Sequence, residues 1–354
     1  MRNRAWKYWV IGSVLAGALW AAGSRAAEEK AQPMAFNSQV ALYVYAVVES
    51  PIGDEDRYIG RTPSERPLTI PPCKAWYVDP GPAFDMQNVR QAIQAHAIPG
   101  LRLMDATDAD LEHLKGLTGL RYLDLQGWWV APADPLFILE AEVSDARPRI
   151  IVGDGATGRI VLPGMNVTDA GVRHLKELTG LRYLDLSDRK VTDAGLAELK
   201  GLTALRTLKL TGTEVTDAGL EHLKGLPALQ RLDLSRTQVT GTGLVHLKGI
   251  TALQRLDLGS TRVTDMGLEH LKGFKGLQWL RLSGTRVTDA GLEQLKGLTA
   301  LQHLYLGGTQ VTDAGLEHLK GLTALRQLKL AFTQVTDAGI EQIKKSLPDL
   351  IVYR

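Results

Sequence analysis

A 24-residue repeat occupies the C-terminal half of this chain of 354 residues and constrains its fold more than any other feature. The repeat carries the signature Thr-Asp-Ala-Gly, which begins at Thr168, Thr192, Thr216, Thr288, Thr312 and Thr336. Two variants of this signature, Thr-Asp-Met-Gly at Thr264 and Thr-Gly-Thr-Gly at Thr240, keep the same spacing. A repeat of this length predicts stacked units, each of which buries its apolar face only against its neighbours.

Each unit has the pattern of a short strand followed by a short helix. In one unit the regularly spaced leucines are Leu205, Leu208 and Leu210. The last two leucines alternate as one face of a strand. Thr216 is predicted to cap the N-terminus of a helix of about eight residues, and Asp217 lies near the positive end of its dipole. Gly225 is predicted to end the helix in the left-handed backbone conformation of a C-cap. Because such a helix is too short to be stable alone, neighbouring repeats must stabilise it.

Residues 205–215, Leu-Arg-Thr-Leu-Lys-Leu-Thr-Gly-Thr-Glu-Val, resemble the leucine-rich repeat (LRR) pattern L-x-x-L-x-L-x-x-N-x-L, with Thr213 in place of Asn. The helix start Thr-Asp-x-Gly-Leu is similar to that of LRRs in F-box proteins and in secreted bacterial LRR proteins. The resemblance covers about residues 100–125 and 160–354. It implies an α/β fold: a curved horseshoe solenoid with a parallel β-sheet on the concave side and short helices on the convex side.

The resemblance also implies a ladder of side chains between adjacent turns, which asparagines form in the family. Threonines hold this position at Thr213, Thr237, Thr261, Thr285, Thr309 and Thr333. A hydroxyl both donates and accepts, so a threonine ladder could satisfy the same backbone groups. Met165 and Arg189 interrupt the series, which predicts looser stacking at the N-terminal end of the array.

The N-terminus has the features of a secretory signal peptide, predicted as residues 1–26. Arg2, Arg4 and Lys7 precede an uncharged apolar stretch over residues 8–22, and Ser24 and Ala26 are the small residues before a cleavage site. The prediction is a periplasmic, cell-surface or secreted protein. The alternative is an uncleaved anchor, and only in that case would the protein contact a membrane.

Between the signal peptide and the main array the sequence suggests four parts: residues 27–37 as a flexible leader, 38–84 as a small β-rich region, 85–125 as an N-terminal cap helix with a first LRR, and 126–159 as an insertion with a hairpin. Residues 160–354 then form the LRR array, which ends in a capping strand. Within the β-rich region, residues 58–63 and 67–72 weakly resemble PEGA-type extracytoplasmic modules. The insertion, which contains Trp128 and Trp129, is either a functional excursion or a hairpin that packs on the array.

Charge argues against nucleic-acid binding. The chain has 41 basic and 39 acidic residues, and residues 1–26 contain four of the basic residues and none of the acidic ones. The remaining 37 basic and 39 acidic residues give a nearly neutral protein without a basic surface excess. The single cysteine, Cys73, cannot form an intramolecular disulfide.

Motifs that could indicate catalysis or a cofactor have simpler explanations. Residues 153–158 match G-x-G-x-x-G, but a strand-like segment follows them where a dinucleotide site needs a helix, so a hairpin turn is predicted. Six histidines share one repeat position, too far apart to bind one metal ion: His113, His174, His222, His246, His270 and His318. We therefore expect no enzyme activity, no cofactor and no metal, with an enzyme using the N-terminal region as a minor alternative.

Function is expected on the concave face, where side chains between the buried leucines point outward in two columns. Trp, Tyr and Arg are the residue types that most often anchor protein interfaces. The predicted partner-binding residues are Arg231, Arg255, Asp257, Trp279, Arg281, His303 and Tyr305. Arg231 and Arg255 should largely neutralise Asp233 and Asp257 beside them. The function predicted is a non-catalytic module that binds a protein or glycan; the alternative is a structural, self-associating envelope or matrix protein. The sequence leaves the oligomeric state open.

Overall fold

The computed structural model describes residues 34–36, 38, 42–50, 53–64, 68–70, 75–80, 84–103, 106–125 and 167–354. The predicted signal peptide, the predicted insertion with its glycine-rich motif, Met165 and Cys73 lie outside these residues. The predictions made for them therefore stay predictions.

The described part of the chain alternates short strands with short helices. The strands are β1 (Met34–Phe36), β2 (Leu42–Ser50), β3 (Gly53–Thr62), β4 (Leu68–Ile70), β5 (Ala75–Asp79), β6 (Gly100–Arg102), β7 (Tyr122–Asp124), β8 (Tyr183–Asp185), β9 (Thr207–Lys209), β10 (Arg231–Asp233), β11 (Arg255–Asp257), β12 (Trp279–Arg281), β13 (His303–Tyr305), β14 (Gln327–Lys329) and β15 (Ile351–Tyr353). The α-helices are α1 (Met86–His96), α2 (Asp108–Glu112), α3 (Asp169–Val172), α4 (Asp193–Glu198), α5 (Asp265–Leu268), α6 (Asp289–Glu293), α7 (Asp313–Leu316) and α8 (Asp337–Ser346). Short 3-10 helices cover Arg173–Leu175, Gly219–Gly225, Thr242–Gly249, Glu269–Gly273 and Glu317–Leu319.

One open sheet of 13 strands joins the N-terminal region to the repeats. From β5 to β15 the neighbouring strands are parallel, as short crossover units require. Strand β2 pairs antiparallel with both β3 and β5 and so extends this sheet at its N-terminal edge. Strand β1 pairs with β4 in a separate ribbon, so the predicted flexible leader does not hold for residues 34–36.

A continuous spine of leucines fills the space between the sheet and the helices and confirms the predicted α/β solenoid. The central residues of successive strands, Leu208, Leu232, Leu256 and Leu280, are paired in register and are buried. The same apolar core includes Val89 and Ile93 of α1 and extends to Leu350 near the C-terminus. Burial of each leucine contributes about 1.5–3 kcal/mol, which explains why helices of four to six residues persist here.

The repeats are joined by hydrogen bonds between the aspartate of one signature and the threonine of the next, an arrangement that we call the Asp–Thr ladder. Asp193 accepts from the backbone N–H of Thr216 at 2.8 Å and from its hydroxyl at 2.6 Å. The other rungs are Asp108–Thr168, Asp169–Thr192, Asp217–Thr240, Asp265–Thr288, Asp289–Thr312 and Asp313–Thr336. The signature aspartate therefore does more than favour a helix start: it bonds the next repeat.

The Asp–Thr ladder explains the glycine of the signature. A Cβ on Gly219 would lie 2.2 Å from Oδ1 of Asp193; the corresponding distance is 2.1–2.4 Å in five other bonded repeats and 2.8 Å at Gly243. The carboxylate can reach the next repeat only because that glycine has no side chain. In the repeat with the variant signature Thr-Gly-Thr-Gly, Gly241 occupies the position of the aspartate that would accept from Thr264. The φ of Gly241 is +107°. That step of the array lacks the bond.

The predicted threonine ladder between repeats is wrong. The hydroxyl of Thr213 donates to the carbonyl of Leu210 in its own turn at 2.7 Å, and the other five threonines do the same. The polar atom of threonine is one covalent bond closer to the backbone than the amide atoms of asparagine, and here the hydroxyl reaches only its own turn. The prediction for Gly225 is also wrong: Gly225 is the last residue of the helical segment and its φ is not positive, and the capping residue is Leu226 with φ −116°.

The predicted loosening at Arg189 is wrong as well. Arg189 is only 1% exposed, and its Nε donates to the carbonyl of Leu125, which is 64 residues earlier in the chain. Strand β7 pairs directly with β8, and Asp108 bonds Thr168. The first repeat therefore stacks on the main array although the predicted insertion separates them in the sequence. In regular repeats the carbonyl at this position accepts a hydrogen bond from the hydroxyl of the threonine three residues later. At Leu125 the donor is Arg189 instead.

Candidate functional site

The register of the parallel strands confirms that the side chains flanking the buried leucines form two columns on the open face of the sheet, which is the face opposite the helices. The first column contains Tyr183, Thr207, Arg231, Arg255, Trp279, His303 and Gln327. The second contains Asp185, Lys209, Asp233, Asp257, Arg281, Tyr305 and Lys329. All seven predicted binding residues are therefore neighbours on four adjacent strands, β10 to β13.

Aromatic side chains come together toward the C-terminal end of these columns. The rings of Trp279 and Tyr305 are 5.0 Å apart at their centroids and tilted by 45°, and both residues are partly exposed. The ammonium of Lys329 lies 4.7 Å from the centroid of the Tyr305 ring, a cation–π distance. We call Trp279, Arg281, His303 and Tyr305 the aromatic patch.

Beside the aromatic patch, Asp257 is buried in an unfavourable electrostatic position. It is 7% exposed, accepts from the Gly259 N–H at 2.8 Å, and lies 3.4 Å from Nη1 of Arg281. Burial, and then the charge of Asp233, raise the pKa of Asp257 to about 6 despite the Arg281 charge. Asp257 thus pairs with Arg281 on the next strand, and this ion pair does not offset the cost of burying the carboxylate charge.

His303 lies in the first column with limited access to solvent. Burial lowers the pKa of His303 from its ordinary value, and the charge of Arg255 lowers it further, against a hydrogen bond with Gln327 that raises it. The ring is therefore neutral at pH 7, and it contributes an aromatic surface and no charge to the patch.

A second aromatic cluster on the same face was not predicted from the sequence. The rings of Tyr45, Tyr77, Tyr122 and Tyr183 stack in succession, with centroid distances of 5.2, 4.9 and 4.2 Å. Tyr77 and Tyr122 are on strands separated by β6, and they meet above Gly100, where a Cβ would lie 2.5 Å from Cβ of Tyr77. The tyrosines at outward strand positions could have indicated a ring stack. The repeat pattern does not include β5, however, so it could not show that β5 pairs with β6.

Charged groups around this tyrosine stack bond to one another. Arg102 bonds Asp124 at 2.8 Å, and Lys209 bonds Asp185 at 3.2 Å, with both carboxylates buried. Burial and the Asp185 charge raise the pKa of Tyr183 well above its ordinary value, so the Tyr183 hydroxyl stays protonated and neutral. These contacts make the stack a packed part of the sheet, in contrast to the more open aromatic patch.

Residues 205–263, 227–287 and 275–335 match the sequence model of the leucine rich repeat. The strand pairing, the leucine spine and this match agree. The fold is a leucine-rich repeat solenoid. No curated protein matches the chain.

Two solved structures that resemble this LRR chain are internalins from Listeria monocytogenes. Internalin C2 is 29% identical, with 52% of this chain and 75% of that chain covered and a TM-score of 0.45. A second internalin is 20% identical, with 75% of this chain and 88% of that chain covered and a TM-score of 0.34. Among the described helices of the LRR chain, none is long and apolar enough to cross a membrane.

The position of Asp257 predicts a pH-dependent stability of the LRR array. In the folded protein this carboxyl titrates at about pH 6, against an ordinary value of 3.8, so the folded state binds the additional proton between these values. The contribution of Asp257 to the free energy of unfolding therefore increases as the pH falls from 7 toward 4. Asp257→Asn keeps an acceptor for Gly259 and should raise the free energy of unfolding at pH 7 by about 1–2 kcal/mol.

Urea unfolding of the wild type and of Asp257→Asn at pH 5 and pH 7 measures this effect. The difference between the two proteins should shrink at pH 5, where the wild-type carboxyl is protonated. The matched control is Asp349→Asn, which changes an exposed aspartate outside the sheet. An equal gain at both pH values would contradict the assigned protonation.

Proposed function

We propose that this protein is a non-catalytic LRR module that binds a protein partner through the open face of its sheet. The observation that carries the proposal is the pair of partly exposed rings, Trp279 and Tyr305, held in contact on adjacent strands of a rigid sheet. The proposed contact residues are Arg231, Arg255, Asp257, Trp279, Arg281, His303 and Tyr305. LRR arrays are commonly protein-interaction modules, which supports the same function.

Physical reasons favour this patch as an anchor. Trp, Tyr and Arg contribute a large share of the binding energy in protein interfaces, mainly from the centre of the contact. The rings already contact each other and are fixed by in-register strands, so binding requires little ordering of side chains. Arg281 is partly exposed beside them and can donate to a partner's acceptors.

The repeated polar residues have structural uses that support a non-catalytic role. The signature aspartates bond the threonines of the next repeat, and the helix-side histidines occur no more than once in a repeat. We assign no catalytic residue, cofactor or metal to the chain. A glycan is the second class of partner that such an aromatic patch could bind.

We propose a location outside the cytoplasm, in the periplasm, at the cell surface or in the medium. The support is the basic and apolar sequence at residues 1–26, with small residues before the proposed cleavage site. N-terminal sequencing of the protein recovered from cell fractions should find a chain that begins at Ala27. A chain that retains Met1 in a membrane fraction would indicate the uncleaved anchor.

The test of the binding function is substitution of the patch in the full chain. Trp279→Ala and Tyr305→Ala should each weaken capture of a partner from envelope or extracellular fractions by about 30-fold or more, which corresponds to a loss of about 2 kcal/mol. The matched control is Thr207→Ala, in the same column three strands away. Affinity capture followed by mass spectrometry identifies the partner, and a glycan array tests the second class. Unchanged capture by both variants would contradict the proposal.

Self-association is the second candidate function, and exposed apolar side chains on β15 favour it. Ile351 and Tyr353 are exposed apolar residues of this strand. Exposed apolar side chains can pack against a second copy of the chain. Sedimentation over a range of protein concentrations distinguishes this function from binding to a different partner.

A further inference from the structure

Phe332 occupies a backbone position that is costly for its residue type. It has a φ of +59° and its side chain is 93% exposed. The same turn position in the preceding repeats also has positive φ, and it holds Asp188, Gly212, Arg236, Ser260, Gly284 and Gly308. Left-handed backbone is disfavoured for a bulky side chain, and this ring gains little burial in return.

The repeat imposes this conformation on Phe332. The N–H of Gly308 donates to the carbonyl of Ala331 at 2.8 Å, and the hydroxyl of Thr333 donates to Leu330 at 2.7 Å. The turn is therefore fixed on both sides of the phenylalanine. A glycine would fit the same turn without strain, as it does in the two repeats before it.

The turn that carries Phe332 lies beside a cation held between aromatic rings. Lys329 is the last residue of β14, three residues before Phe332. Its ammonium is 4.7 Å from the ring centroid of Tyr305 and 5.5 Å from that of Tyr353 on β15. Lys329 and Phe332 are both exposed, so a cation and an apolar ring are available together.

The charge on the open face changes along the array. The outward positions of β12 to β15 include two cations, Arg281 and Lys329, and no acidic residue. The outward positions of β6 to β11 instead balance four aspartates against four cations: Asp124, Asp185, Asp233 and Asp257 against Arg102, Lys209, Arg231 and Arg255. The C-terminal strands therefore favour an acidic partner, and the earlier strands do not.

We propose that Phe332, Lys329 and Tyr353 recognise an acidic peptide segment of the protein partner. In this arrangement a carboxylate of the segment bonds the ammonium of Lys329, and an apolar side chain next to it packs on the ring of Phe332. The inference rests on the proposed function, and it adds the chemical class of the partner. A glycan fits less well, because sugars stack on open aromatic faces and Lys329 lies over the rings of Tyr305 and Tyr353.

A random peptide library displayed on phage and panned against the full chain provides the probe. The selected peptides should be enriched in Asp or Glu next to Phe, Trp or Leu. A synthetic copy of the selected sequence should bind Phe332→Gly and Lys329→Gln at least tenfold more weakly than it binds the wild type. Gln302→Ala, which changes an exposed residue outside the columns, is the control.

The stability of Phe332→Gly separates recognition from a structural role. A binding anchor in a strained position predicts that the variant loses affinity while its Tm rises. A falling Tm would show that Phe332 supports the fold and would overturn the inference. Selected peptides without acidic residues, or equal binding to wild type and Phe332→Gly, would overturn it as well.

Trp279→Ala distinguishes this inference from the proposed function. Loss of peptide binding in Phe332→Gly but not in Trp279→Ala supports the inference and counts against the aromatic patch. The opposite result overturns the inference and leaves the patch in place. A concentration-dependent dimer that Phe332→Gly abolishes would also overturn it, since the occupant would then be a second copy of the chain.

Discussion

Gly219→Ala is expected to destabilise the array by about 2–4 kcal/mol, an unusual cost for a single methyl group. The new Cβ would lie 2.2 Å from Oδ1 of Asp193 and 3.3 Å from its Cα. The carboxylate must then move away, and the backbone N–H and hydroxyl of Thr216 lose their acceptor. Loss of the acceptor for these partly buried donors adds up to about 1–3 kcal/mol to the steric strain. Chemical denaturation of the full chain measures the change.

The double variant Asp193→Ala, Gly219→Ala tests the mechanism. Asp193→Ala alone breaks the rung and should cost about 1–3 kcal/mol. With the carboxylate absent, the methyl group at residue 219 has nearly enough space, so the double variant should be more stable than the sum of the single effects predicts, by about 1 kcal/mol or more. Simple additivity would contradict the contact.

Gly321→Ala is the matched control for this cycle. A Cβ at residue 321 would meet nothing within 4 Å, and its φ is not positive. Its alanine variant should change the free energy of unfolding little, or raise it by about 0.4–1 kcal/mol through a reduced entropy of the unfolded chain. Equal destabilisation at residues 219 and 321 would indicate a general effect of replacing glycine.

Arg189→Thr is expected to destabilise the protein by about 2–4 kcal/mol, although threonine is the usual residue at this repeat position. The substitution removes the donor to the Leu125 carbonyl and leaves a cavity where the buried guanidinium was. Threonine cannot replace the contact, because in other repeats its hydroxyl bonds the carbonyl three residues before it. Thermal and urea unfolding measure the loss.

The control for Arg189→Thr is Arg286→Thr, the same chemical change at an exposed position. It should alter the free energy of unfolding by less than about 0.5 kcal/mol. Hydrogen exchange adds a local measurement: in Arg189→Thr, the amides of β7 and β8 should exchange faster than those of β13 and β14. Unchanged protection at β7 and β8 would show that Arg189 does not join the two repeats.

The sequence by itself determined the architecture and the neighbours on the open face. A fixed period of 24 residues places Leu208, Leu232 and Leu256 at the same depth in successive turns, so the apolar spine and the in-register strands follow from local spacing. Because side chains alternate along a strand, Trp279 and Tyr305 could be placed on one surface before any coordinates were known.

Only the tertiary structure decided which polar atoms bond each other. The donors to the Asp193 carboxylate could be identified only when the next repeat fixed Thr216 beside it, and the contact of Arg189 with Leu125 joins residues 64 positions apart. The tyrosine stack likewise depends on Tyr77 and Tyr122 meeting across Gly100. Hydrogen bonds and ring contacts depend on distances of a few ångströms between separate turns, whereas a repeat pattern specifies only which face of its own turn each side chain occupies.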